Sequence, residues 1–364
     1  MSESEPMPVH ALADRRRTLR RSSELVTAGL VAPDKLAEID AVAARYAVAV
    51  TPTLLDLIDL ADDGDPLARQ FVPDGRELDS AAGEGPDPIG DDVHSPVRGV
   101  VHRYPDRVLL TPILHCPVYC RFCFRRARVG GAEAALTEAE ITAALSYIAS
   151  HPEVWEVVVT GGDPLVLPAA RLRRLVAALS AIPHVAVIRL HSRVPISDPE
   201  RINPAVLDAL TSEKAVWLAI HCNHPRELGP AARAACRRLA AAGVPLVSQT
   251  VLLKGVNDDP AVMEALMRAL VANRIKPYYL HHLDLAPGTG HFRTSISEGQ
   301  AVMRHLRGRV SGLCQPTYVL DIPGGHGKVP VGPVYLHADE VEDWQGSKHS
   351  YPPASGVAPG RSSC

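Results

Sequence analysis

Cys116, Cys120 and Cys123 place three thiols within eight residues, in a C-x3-C-x2-C pattern that can aim all three into one small volume. Thiolates at this spacing bind soft metals. A structural zinc would need a fourth ligand, usually from a second cysteine pair. No second C-x2-C occurs, and His115 sits awkwardly beside Cys116. Three cysteines on a [4Fe-4S] cluster would leave one iron open to an exchangeable ligand. The cluster is therefore the favoured reading, with zinc as the lesser one. A second group is Asp321-Ile-Pro-Gly-Gly-His-Gly-Lys328. It is no P-loop, because the glycine spacing is wrong and no Ser or Thr follows the lysine. A lysine on a glycine loop suits an imine bond to pyridoxal phosphate (PLP), and it also suits plain solvent.

The elements that must position these groups follow from the apolar pattern. Short runs rich in Val, Ile and Leu at 107–114, 154–160, 185–190, 215–220, 245–253 and 276–284 read as buried parallel strands. Helical spacing fills the intervals at 137–150, 168–182, 200–213, 228–243, 259–274 and 296–311. Thr137 with Glu140 is a capping-box pattern for the first of them. Six strand–helix repeats predict an α/β protein, a partial or complete (β/α) barrel, with a doubly wound sheet as the alternative. Barrel chemistry sits at the C-terminal ends of the strands. The polar groups cluster there: His115 to Cys123, Gly161 to Asp163, His191 to Arg193, His221 to His224, and Asp284. Ahead of the barrel (101–340), residues 1–22 read as a disordered start, and 23–100 as an N-terminal extension, helical to about 60 and then an irregular surface connection. Residues 341–364 read as a disordered tail.

The 364 residues are 46% hydrophobic, enough for a large core. With 38 Lys+Arg against 41 Asp+Glu, the net charge of −3 gives no reason to expect nucleic acid or a membrane surface. No apolar run approaches the roughly 20 residues of a membrane helix, and the N-terminus has no signal-peptide core, so a cytoplasmic protein is expected. Cys222, Cys236, Cys314 and Cys364 are scattered, which argues against a disulfide framework. Arg121, Arg125, Arg126 and Arg128 interleave with Tyr119, Phe122 and Phe124 as an RNA-binding patch would, but the net charge and the embedded cysteines argue against that.

The cysteine motif at the end of a first barrel strand resembles that of the radical S-adenosylmethionine (SAM) superfamily. Gly161-Gly162-Asp163 resembles its SAM-contacting glycine motif, against an ordinary turn as the alternative. More specifically, the chain resembles the lysine 2,3-aminomutase family. The resemblance rests on His-Arg-Tyr-Pro-Asp-Arg at 102–107, the cysteine motif followed by Phe124-Arg125-Arg126, the Pro-Gly-Gly-His-Gly-Lys loop, Ser-Arg-Val-Pro, Asn-His-Pro, and the stretch from Gln249 to Asp258. It runs from about 65 to 337. His326 departs from it, replacing a glycine.

The resemblance implies a cluster on Cys116, Cys120 and Cys123, and SAM near Gly161, Gly162, Asp163, His221 and Gln249. It implies PLP on Lys328, with Arg103, Tyr104 and Arg107 around its phosphate and ring. Arg125 would hold the substrate carboxylate, and Asp284 and Asp321 its distal ammonium. The implied reaction is a 1,2-amino migration from L-lysine to β-lysine through a substrate radical, fed by an electron donor of the flavodoxin or ferredoxin type. Arginine or ornithine as substrate, or a protein or RNA target, are the alternatives. The chain lacks the C-terminal cysteine cluster of the clostridial-type enzymes and resembles the short branch that serves elongation factor P. A homo-oligomer is left open.

Overall fold

The computed structural model describes residues 17–131 and 135–352. Nine strands form one sheet in chain order: β1 (Val100–Tyr104), β2 (Arg107–Ile113), β3 (Glu156–Gly161), β4 (Val187–Ser192), β5 (Ala215–His221), β6 (Leu246–Val251), β7 (Ile275–His281), β8 (Thr317–Ile322) and β9 (Gly327–Pro330). Strands β2 to β8 are parallel, and β1 and β9 pair antiparallel at the two edges. The sheet curls into a nearly closed barrel. Across the seam, the Lys328 backbone N–H donates to Tyr104 Oη at 2.7 Å.

The expected crossover helices are present, as Glu138–Ala149, Ala169–Ser180, Pro204–Ala209, Pro230–Ala241, Pro260–Ala272 and Ile296–Leu306. Thr137 and Glu140 form the expected capping box. The main core lies between strands and helices: Val157, Val159, Ile188 and Leu190 pack with Leu172, Val176 and Leu179, all buried. Strand β8 was not expected; its three polar or aromatic positions (Thr317, Tyr318 and Asp321) interrupt the apolar run.

A second core, with Leu25, Ile39, Leu54, Leu55, Leu67 and Phe71, builds the N-terminal extension and packs on Val118 of the cysteine loop. Three expectations change here. Leu19 is fully buried and bridges to Val50, so the ordered chain starts before residue 23; residues 1–16 lie outside the described residues. The connection at 61–100 is irregular, but it is no mere surface wrap: Asp65, Gln70, Glu77 and Asp91 are buried in it. The supposed tail carries β11 (Glu340–Glu342) and β12 (Lys348–Ser350), which with β10 (Leu336–His337) form a small antiparallel sheet. Residues 353–364 of that tail lie outside the described residues. Among the described residues, no helix is long and apolar enough to cross a membrane.

Candidate active site

The C-terminal ends of the parallel strands carry two facing groups of side chains. The first begins where β2 ends, at the cysteine loop. Burial pushes the Cys120 thiol up to about 11, against the pull of nearby Arg193, and it raises Cys116 and Cys123 too. Such thiols stay protonated until a cationic metal draws the proton off. Among the described residues, no three His, Cys, Asp or Glu side chains close on one point as ligands of a single ion would. Three thiols from one loop fit a cluster held at its corners.

The β3 loop is fastened to this one. Gly161 has φ +102°, and a Cβ on Gly162 would stand 2.5 Å from the His115 carbonyl oxygen. Only glycine permits that approach. The Gly162 and Asp163 N–H groups donate to Ile113 and His115 carbonyls. The Asp163 carboxylate accepts from Ser192 Oγ and from the N–H groups of Leu165, Arg193 and Val194. Its acceptor sites are thus used by protein, and it ties loops together instead of facing a ligand. His221 ends β5 with a buried Nε2 that has no partner, and burial, then Arg193, lowers it to about 3.

The second group surrounds Lys328 on β9. Lys328 Nζ pairs with Asp321 on β8 and lies 3.4 Å from His281 Nδ1 on β7. Burial alone would raise Asp321, but His281 and Lys328 outweigh it and hold the carboxyl well below the usual range. Asp284 is the opposite case. Its Oδ1 is buried without a partner, and burial, helped by the neighbouring Asp321 charge, pushes it up to about 7. An unpaired buried carboxylate is costly, and a cation is its natural complement.

Arg103 gives Nη2 to Asp91 (2.9 Å) and to the Ile89 carbonyl, lies 4.0 Å from Asp321, and keeps a buried Nε without a partner. Arg125 reaches the other oxygen of Asp91 at 2.8 Å. Arg107 stacks on the Tyr104 ring at 3.8 Å and pairs with Asp106 near the surface. The amine of Lys328 beside a free buried guanidinium N–H suits an aldehyde-and-phosphate cofactor. Gln249 Nε2 meets His281 Nε2 at 2.8 Å, and its side chain also reaches His221 of the first group. His326 is exposed.

The arginine run is no nucleic-acid patch. Arg121 and Arg126 both bind Glu77, Arg125 binds Asp91, and Arg128 binds Asp92. Glu77, Asp91 and His281 were not legible as site residues. The two acids sit in a stretch that reads as loop, and their arginine partners lie 12 to 49 residues away. His281 could have been found from strand alternation, since it shares a face with Tyr279 on β7.

Residues 110–266 match the radical SAM superfamily, and residues 303–351 match lysine-2,3-aminomutase. The L-lysine 2,3-aminomutase of Acetoanaerobium sticklandii is 45% identical over 79% of this chain and 70% of its own. This chain belongs to the lysine 2,3-aminomutase family. The Clostridium subterminale enzyme of the same name shows the same identity and coverage. The glutamate 2,3-aminomutase of Clostridioides difficile is also similar, at 38% identity over 82% of this chain and 70% of its own. Family membership makes the chain an isomerase of the radical SAM class, with a [4Fe-4S] cluster, SAM and PLP as its cofactors.

Proposed function

We propose that this family member is an L-lysine 2,3-aminomutase that forms β-lysine by 1,2-amino migration through a substrate radical. The observation that carries the choice of lysine is the buried, unpartnered oxygen of Asp284 beside Asp321. A glutamate side chain would bring a third carboxylate to that place, whereas an ammonium answers both.

In this reading Cys116, Cys120 and Cys123 hold the cluster, and the Gly161–Gly162 loop with His221 lines the SAM side. Lys328 holds PLP, and Arg103, Tyr104 and Arg107 surround its phosphate and ring. The cluster with SAM supplies a 5′-deoxyadenosyl radical to take the substrate hydrogen, and PLP supplies the π-system that lets nitrogen migrate. Arg125 binds the substrate carboxylate in a planar fork, exchanging its bond to Asp91 for it. Asp284 and Asp321 fix the far end, so the chain between is stretched across the strand ends. Two-point fixing of a flexible substrate sets which hydrogen faces the radical source. Seating the ammonium requires Asp284 to ionise, so it releases one proton. A flavodoxin- or ferredoxin-type donor in the cytoplasm would supply the electron. Anaerobic incubation with SAM, PLP and dithionite, offering L-lysine, L-arginine, L-ornithine and L-glutamate separately, tests the reading. β-Lysine from lysine alone is expected; rearrangement of glutamate in preference to lysine would sink it.

A further inference from the structure

His281 has no assigned task, yet it is the buried side chain that touches both members of the Lys328–Asp321 pair. Its Nδ1 lies 3.4 Å from Lys328 Nζ and 3.6 Å from Asp321 Oδ2, and its Nε2 lies 2.8 Å from the Gln249 amide nitrogen. The Tyr279 ring stands edge-on to it at 5.6 Å. We propose that His281 is the proton acceptor for the Lys328 amine, held in place by Gln249 and Asp321. The proposal rests on the reading that Lys328 is the PLP-bearing lysine. An ammonium is no nucleophile, so such a lysine must lose a proton before it can react.

The geometry supports both ends of that transfer. A half-turn of the Gln249 amide exchanges donor for acceptor at Nε2, because its oxygen and nitrogen occupy equivalent places. Nδ1 can therefore accept from the Lys328 ammonium, or carry a hydrogen and donate it to Asp321. The proton moves from Nζ to Nδ1, leaving a neutral amine and an imidazolium, with no change in oxidation. The imidazolium then lies between the Asp321 carboxylate and the Gln249 amide oxygen.

The electrostatics are coupled in the same sense. Burial first, and then the Lys328 charge, lower His281 to about 4, while Asp321 works to raise it. Loss of the Lys328 charge removes the second depressing influence and leaves Asp321 unopposed on that side. The other groups facing the ring are His191 on β4 and His221 on β5, both held neutral by burial and nearby arginines. Arg103 lies 4.0 Å from Asp321 and balances its charge in part. Asp321 is the one carboxylate at hydrogen-bond distance from Lys328 Nζ among the described residues, and it is committed to the ion pair with it.

The test follows PLP capture by PLP-free protein, read by absorbance in a stopped-flow mixer between pH 6 and 9, with no turnover involved. In His281→Gln, which keeps bulk and a hydrogen bond but no base, capture at pH 7.5 is expected at least about tenfold slower, with its pH midpoint shifted upward. In His281→Ala, added imidazole should enter the space left and restore the rate several-fold. A purely structural role would leave the pH midpoint unmoved and give no imidazole response, and either result overturns the proposal. Lys328→Ala should show no slow absorbance change at all. If it captures PLP as the wild type does, the attachment reading fails, and the relay falls with it.

Discussion

The cysteine side and the lysine side of the barrel mouth are both rich in charge, but they spend it differently. Around the cysteines, every arginine of the run has an acid: Glu77 for Arg121 and Arg126, Asp91 for Arg125, Asp92 for Arg128. Glu77 is fully buried, and its two arginine partners are nearly so. Arg126 also lies 3.7 Å from the centre of the Tyr46 ring. Unpartnered buried atoms occur on both sides, Arg126 Nε and Arg193 Nε near the cysteines and Arg103 Nε near Lys328, but around Lys328 they include a carboxylate oxygen, Asp284 Oδ1, and His221 Nε2 is left open between the two sides. Buried polar groups are normally satisfied. A guanidinium held through its other nitrogens can spare one N–H and remain scaffold, whereas a buried carboxylate oxygen with no partner marks where a cation completes the site. The N-terminal extension is thus the clamp that presents the cysteine loop, while the lysine side is finished only by cofactor and substrate.

Several experiments would break or sharpen this contrast. Removing a thiol, as in Cys120→Ala, or the amine, as in Lys328→Ala, should abolish turnover, a loss of at least about a thousandfold, because no neighbour can take over covalent or metal ligation. Iron content and anaerobic visible spectra separate the two: the first variant loses iron–sulfur absorbance, and the second keeps it. Breaking the clamp by Glu77→Gln leaves two buried guanidinium groups short of a carboxylate, at a cost of about 3–5 kcal/mol in chemical denaturation. Retained stability in that variant would mean the extension is no clamp. Tyr104→Phe leaves the Lys328 N–H without its acceptor across the seam, at a cost of about 1–3 kcal/mol. It should weaken PLP retention and leave iron content alone. Arg128→Ala removes an exposed pair and should change stability by less than about 0.5 kcal/mol, with no effect on either cofactor.

The sequence carried most of the barrel because parallel strands buried on both faces announce themselves as apolar runs, as in Val157–Val159 and Leu218–Ile220. The cysteines, Lys328, Asp284 and Asp321 were legible because local spacing or a family motif exposes them. Glu77 and Asp91 were not, since their meaning lies in partners far along the chain, and a loop-like stretch of Gly, Asp and Pro gives no sign that it will be buried. Strand β8 escaped because half of its six positions, Thr317, Tyr318 and Asp321, are polar or aromatic. The fate of Gln249 shows the limit of alternation: strand position gives the face, but only packing decides that its amide meets His281.

The most direct test of the central claim, that the unpartnered Asp284 oxygen is the seat of the lysine ammonium, is kcat/KM for L-lysine in the wild type and Asp284→Asn between pH 6 and 8. Burial and the neighbouring Asp321 charge push this carboxyl up to about 7, and a cation binds only its ionised form. Wild-type kcat/KM should therefore fall as pH drops through about 7 and level off above it. Asp284→Asn should be at least about tenfold lower at pH 8 and should lack that inflection. Equal values with the same inflection in both proteins would contradict the account and move the ammonium elsewhere.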